Sequence, residues 1–132
     1  KALVKGRVEF QEGHIEAPLA HDPRERKKMA VSHAETARPA ETLYRVVRRF
    51  KHATLLELRL VTGRTHQIRV HMLSLGHPVR GDVLYGGPQD AKYPRMALHA
   101  SMIEFLHPKT GKLMKFESPI PSEMRAMIDA EI

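Results

Sequence analysis

Ten consecutive residues, Gly63-Arg64-Thr65-His66-Gln67-Ile68-Arg69-Val70-His71-Met72, carry two arginines, two histidines and a glutamine. A strand ends at Gly63 and the chain turns. Thr65 can then cap a helix running to about Leu75, where Gly76 and Pro78 stop it. Arg64 thus stands at a helix N-terminus, where unpaired N–H groups and aligned peptide dipoles favour an anion. A guanidinium there can hold a carboxylate or phosphate in two-point geometry; the competing reading is a surface arginine in a turn. His66 and His71 are five residues apart rather than four, with no acidic third ligand nearby, so no metal is expected. His66 and Gln67 are expected to line a cleft or to bond backbone groups at the turn, and His71 to pack against a sheet. Asp82, within Gly81-Asp82-Val83-Leu84-Tyr85-Gly86, reads as an acceptor that fixes a loop, and Tyr85 as a packing residue.

The elements that must position these residues are mostly strands. Lys1–Phe10 alternates loosely around Gly6, and Gly13–Leu19 is a short strand halted by Pro18. His21–Lys28 is a charged loop, Met29–His33 a short strand, and Thr36–Ala40 a connection. Glu41–Phe50 puts Tyr44, Val46 and Phe50 on one face and Arg45 and Arg49 on the other. Thr54–Val61 places Leu56, Leu58 and Leu60 inward, and a turn near Lys51-His52-Ala53 joins the two as an antiparallel hairpin. In the central helix Ile68, Met72 and Leu75 form the inward stripe. Leu98–Leu106 and Lys112–Phe116 follow as strands joined by a turn at 107–111, and Pro121–Ala130 closes as a helix with Met124, Met127 and Ile128 facing the core. The expected fold is α+β: a largely antiparallel mixed sheet with a central helix and a C-terminal helix.

Composition sets outer bounds. With 42% apolar and 28% charged residues the chain has an ordinary globular make-up, and no apolar run approaches the ~20 residues of a membrane span. No cysteine is present, which removes disulfides and thiolate chemistry and fits a cytoplasmic setting. A net charge of +7 favours polyanion partners. Arg48, Arg49 and Lys51, near the hairpin turn, read either as a solvated strand face or as a phosphate track beside the cleft.

The block GRTHQIRVHMLSLGHPVRGDVLYGG resembles the signature of RluA/RluD-type RNA pseudouridine synthases. Lys1–Gly6 resembles the end of that family's Tyr-x-Ala-x-Val-x-Gly strand. Pro18-Leu19, Asp22-Pro23 and Lys28-Met29 resemble its next segment. Arg95-Met96-Ala97-Leu98-His99-Ala100 resembles its third motif, and His107-Pro108, Gly111, Phe116, Pro119 and Pro121 its C-terminal end. The resemblance implies isomerisation of selected uridines in structured RNA, foremost large-subunit ribosomal RNA, with no cofactor and no metal. It further implies that Arg64 pairs with the catalytic aspartate, that His66, Gln67 and Leu98 meet the substrate, and that Leu98 walls the uracil pocket.

In that family the nucleophile lies in a His-Arg-Leu-Asp motif, which this sequence lacks; Asp22, Asp82, Asp90 and Asp129 have other contexts. The family's active-site tyrosine would fall just before Lys1. Residues 1–132 are therefore read as the C-terminal portion of a catalytic domain, inactive alone. The rival reading is a catalytically dead RNA-binding module derived from a synthase. A sheet deprived of upstream strands is expected to expose an edge and to self-associate through it.

Overall fold

The computed structural model describes residues 1–87 and 92–132, so Asp90 lies outside the described residues. Ten elements follow in order: β1 (Ala2–Lys5), β2 (Glu12–Glu16), β3 (Leu19–His21), β4 (Met29–Val31), β5 (Glu41–Arg49), β6 (Ala53–Leu60), α1 (Gln67–Ser74), β7 (Met102–Leu106), β8 (Leu113–Glu117) and α2 (Ser122–Asp129). The main sheet has the order β1-β6-β5-β2, and β3-β4 and β7-β8 form two-stranded sheets. Every strand pair is antiparallel, as the α+β reading expects. No helix among the described residues is long and apolar enough to cross a membrane.

The main sheet is covered on both faces. Ala2, Val4, Tyr44, Val46 and Leu56 pack on one side with Met72 of α1 and Val79. Leu3, Phe50, Ala53 and Leu55 pack on the other with Met124 and Met127 of α2. Alternation along β1 and β6 supplies both cores, since successive side chains point to opposite faces. In β5 the register shifts between Val46 and Arg48: Val46 faces Leu56 and Arg48 faces Leu55. Val47 is therefore a bulge residue, and it inverts the parity of everything after it. Phe50 was expected beside Tyr44 and Val46; it lies in the opposite core. Arg49 turns instead to the α1 face, where it donates to the carbonyls of Val8 and Glu9 and to Gln11.

Three boundaries differ from the sequence reading. The central helix begins at Gln67, with His66 rather than Thr65 at its cap, and no side chain closes the cap. Its inward face is Gln67, Val70, His71 and Met72, while Leu75 is the C-cap and 42% exposed. Leu60, expected inward, is 48% exposed because β6 runs out beyond the covered part of the sheet. The strand expected from Leu98 begins only at Met102, and Leu98 makes a single bridge to Ala2.

The outer side of β1 is covered, not open. Leu3 donates to Ala97, Lys5 donates to Pro78, and Arg80 and His99 donate back to the strand. Apolar exposure lies elsewhere, on the β7–β8 hairpin, where Ile103, Leu106, Leu113 and Phe116 are exposed and Phe105 stacks on Phe116 at 5.9 Å.

The covered and uncovered stretches of one face of β6 make a direct test. Leu56→Ala empties a fully buried site and is expected to lower the unfolding free energy by about 2–5 kcal/mol. Leu60→Ala should change it by less than about 0.5 kcal/mol. Urea unfolding of the two variants measures both, and equal losses would contradict the core assigned here.

Candidate active site

A buried polar cluster seats α1 on the sheet. Gln67 Nε2 donates to the Glu41 carbonyl and to Thr42 Oγ1, both at 2.9 Å. Thr42 Oγ1 lies 2.8 Å from His71 Nδ1, and His71 Nε2 lies 2.9 Å from the Ala17 carbonyl. A carbonyl can only accept, so His71 Nε2 carries a proton and donates it to Ala17, and Nδ1 accepts a hydrogen bond from the Thr42 hydroxyl. The Gln67 oxygen accepts from Thr62 Oγ1 at 2.7 Å and from the Arg64 backbone N–H at 3.0 Å. The Gln67 amide is thus fully engaged beneath the turn and buried. The expectation that it meets substrate gives way to one of its alternatives, bonding at the turn.

Above this cluster Arg64 is half-buried in the wall of a groove of about 490 Å³, shared with Leu19, His21, Met29 and Arg38. Its Nε donates to the Pro39 carbonyl at 3.0 Å. Its terminal nitrogens have no hydrogen-bond partner among the described residues. Two guanidinium groups and an imidazole therefore bound one opening, an arrangement suited to an anion. Arg38 and His21 carried no local signal in the sequence. They arrive through the β3–β4 hairpin and the bridge between Leu19 and Arg38.

His66 takes φ 56° and is the one described non-glycine residue with positive φ. Its Nδ1 lies 2.7 Å from the Tyr85 hydroxyl, and the two rings meet edge to face at 5.5 Å. Burial pushes its pKa below the ordinary value, the Arg69 cation pushes the same way, and Asp82 opposes them only in part. Tyr85 is held from behind. Arg69 lies 4.9 Å over its ring and makes a two-point ion pair with buried Asp82 at 2.7 and 2.9 Å, while Asp82 also accepts from the Tyr85 backbone at 3.2 Å. Asp82 is thus the loop acceptor the sequence suggested. The flanking glycines permit this loop: a Cβ on Gly81 would sit 2.1 Å from the Arg95 carbonyl, and one on Gly86 2.5 Å from that of Asp82.

The other candidates lie apart. Leu98 is half-buried beside Ala2 and, with Leu58, Ile68 and Met96, rims the core under α1; it does not line the Arg64 groove. Arg48, Arg49 and Lys51 are at the far end of the β5–β6 hairpin, roughly 25 Å of strand from Arg64. They do not flank the groove as the track reading supposed. Arg49 is engaged by carbonyls, Arg48 lies over Phe50 at 4.9 Å, and Lys51 is exposed. Arg7 and Arg80, not singled out from sequence, join them by donating to the carbonyls of Phe50 and His52. Among the described residues one group could gather about a cation: His14, Glu16 and Glu41 on the β2–β5 surface, where His14 and Glu41 already pair at 2.5 Å.

The family described as RNA pseudouridylate synthase matches residues 2–74 of the chain. Ribosomal large subunit pseudouridine synthase D of Nitrosomonas europaea is 45% identical over 98% of this chain and 39% of its own length. The uncharacterized RNA pseudouridine synthase YlyB of Bacillus subtilis is 41% identical over 97% of this chain and 42% of its own. The solved structure of human RNA pseudouridylate synthase domain containing 1 superposes with a TM-score of 0.76 at 27% identity, covering 89% of this chain and 52% of that one. The chain spans about two fifths of the length of the curated relatives it matches.

The Arg69–Asp82 pair makes a prediction in pH. Burial raises the Asp82 pKa, but the Arg69 hydrogen bonds and charge outweigh it and hold the carboxyl below its ordinary value. Its contribution to stability is therefore full above the unfolded pKa of about 3.9 and is lost as pH falls through the lower folded value. Asp82→Asn should cost about 3 kcal/mol near neutrality, and the gap from the parent should close in acid. A gap independent of pH in urea titrations would exclude this role for the charge.

Proposed function

The chain belongs to the RNA pseudouridylate synthase family, and from that membership we propose that a polypeptide of the relatives' length isomerises uridine to pseudouridine in structured RNA, with large-subunit ribosomal RNA the foremost substrate. The carrying observation is the half-buried Arg64, whose terminal nitrogens have no partner among the described residues and which shares its groove with Arg38.

The reaction breaks the bond from N1 of uracil to C1′ of ribose and forms one from C5 to C1′. The C5 proton is lost and N1 gains one, so the change is redox-neutral and calls for no electron carrier. By the family resemblance an aspartate is the nucleophile, and Arg64 is its partner, holding the carboxylate ionised and aimed in a site that excludes water. Flipping the base out of the RNA gives the reacting carbon access to that carboxylate. The register of β1 supports this placement. Its four residues pair with Ala53–Leu56, and backbone continued backward from Lys1 in that register would run beside Glu57–Leu60 toward Gly63 and Arg64. Leu98, bridged to Ala2, would then stand close to the same path and wall the uracil. The absence of His-Arg-Leu-Asp from residues 1–132 favours a second reading for this chain alone, that it binds RNA without turning it over.

The basic cluster around Phe50–His52 lies too far from the groove to touch the reacting uridine, so its place is on the RNA backbone, where charge sets position and not sequence. Arg48 and Lys51 are the members to carry it, since Arg49 is held by the Val8–Gln11 loop.

Two measurements follow. In the relative-length enzyme Arg64→Ala should lower pseudouridine formation by roughly a hundredfold or more, and Arg64→Lys should not restore it, because an ammonium lacks the two-point fork. Near-parental turnover of Arg64→Ala would remove Arg64 from the site, near-parental turnover of Arg64→Lys would remove the two-point pairing, and product from residues 1–132 alone would refute the need for a further aspartate. Separately, R48E/K51E should weaken RNA binding and reduce the slope of log affinity against log salt by about 1–2. An unchanged slope would leave these two residues as a solvated strand end.

A further inference from the structure

Tyr85 was read from sequence as packing, yet its hydroxyl is the meeting point of two separate walls of the site. Its oxygen accepts the Met29 backbone N–H at 2.8 Å, and Met29 opens β4 at the edge of the Arg64 groove. The same hydroxyl lies 2.7 Å from His66 Nδ1, two residues after Arg64. Tyr85 is buried and its ring is fixed by Arg69 above and by the Asp82 loop behind.

Hydrogen-bond satisfaction then decides which atom holds which proton. A phenol has one proton to give. If His66 Nδ1 were the donor, the Tyr85 oxygen would accept from both neighbours and its own proton would be left without an acceptor in a buried place, a costly arrangement. With the hydroxyl donating to Nδ1, every group is paired. Neutral His66 must then carry its proton on Nε2. That atom has no acceptor among the described residues and is not among the buried polar atoms sealed from solvent. The left-handed backbone at His66 is the kind of strain that persists where the surroundings hold a functional group in place.

We infer that Tyr85 is a positioning residue that fixes His66 as a neutral Nε2–H donor beside Arg64, so that His66 binds an acceptor oxygen of the RNA, from a phosphate, ribose or uracil carbonyl, and does not serve as a base. This rests on the proposed RNA isomerisation for the identity of the ligand but not for the proton assignment. The neighbouring charges agree with a neutral ring: burial and Arg69 disfavour a second proton, with Asp82 opposing them while engaged by Arg69.

Long-range ¹⁵N–¹H spectra of this chain above neutrality read the tautomer without RNA. His66 should show a protonated Nε2 and an acceptor Nδ1. Tyr85→Phe should give a mixture of tautomers and move the His66 titration up toward that of an ordinary histidine. A parent protein with the proton on Nδ1, or a His66 signal indifferent to Tyr85→Phe, overturns the inference. The ligand assignment is tested in the relative-length enzyme. His66→Gln, which keeps a donor, should stay within about threefold of the parental KM, whereas His66→Ala should raise KM by about three- to tenfold, as expected for one lost hydrogen bond. A collapse of kcat in His66→Gln with KM unchanged would make His66 the base and sink the proposal. Should the unaltered enzyme form no pseudouridine, the functional reading fails while the spectra still decide the proton assignment.

Discussion

One hydroxyl group, on Thr42, holds the helix to the sheet. It sits fully buried near the start of β5, accepts from Gln67 and donates to His71, and those two residues are one helical turn apart on α1. A buried polar group is tolerable only when each of its bonds is made, and here each is, through to the Ala17 carbonyl at the far end. An apolar contact at the same place would let the helix slide or turn with little penalty. Three directional bonds allow one rotation and one height, and that precision passes to everything the helix carries.

Arg64 inherits its position from this anchor. The oxygen of Gln67, whose nitrogen is bound to the sheet, accepts the Arg64 backbone N–H and the Thr62 hydroxyl, so the turn is tied on both sides of Gly63. The turn also needs His66 in a left-handed conformation, and the Tyr85 ring stands against it. Behind Tyr85 the Asp82–Arg69 pair supplies charge-assisted bonds that ordinary loop packing would not. The guanidinium is thus supported from the sheet below and from the glycine-flanked loop at the side, which leaves its outer nitrogens facing the groove.

Much of this was legible from local pattern. Leu56, Met124 and Met127 were placed by periodicity, and the strand-to-helix junction at Arg64 by the punctuation of Gly63 and Gly76. Asp82 was recognisable as a loop acceptor from its glycine neighbours. What escaped depends on relations the chain does not write locally. A bulge has no distinct signature among Val46, Val47 and Arg48, all acceptable in a strand, so Phe50 and Arg49 were assigned to exchanged faces. Thr65 is a good cap by type, yet the Gln67 anchor sets where the helix starts, which moves the cap one residue on, to His66. Arg38 and His21 reach the groove only once β3 and β4 have paired, and separation in sequence hides that. The Tyr85 hydroxyl joins residues 29, 66 and 85, a triangle that no window of neighbouring positions contains.

The surplus residue at Val47 has a wider meaning for how this protein tolerates change. Because one strand serves the layer under α1 before the bulge and the layer under α2 after it, β5 is in effect two half-strands of opposite phase spliced together. Swapping the exposed Val47 side chain for another alters little, and even removing the residue would leave Val46 opposite Leu56 and Arg48 opposite Leu55, so that Tyr44 and Phe50 keep their separate layers. The middle of this inner strand is therefore permissive at one position to both spelling and loss, whereas removing a paired residue on either side of it would carry buried side chains to the opposite layer.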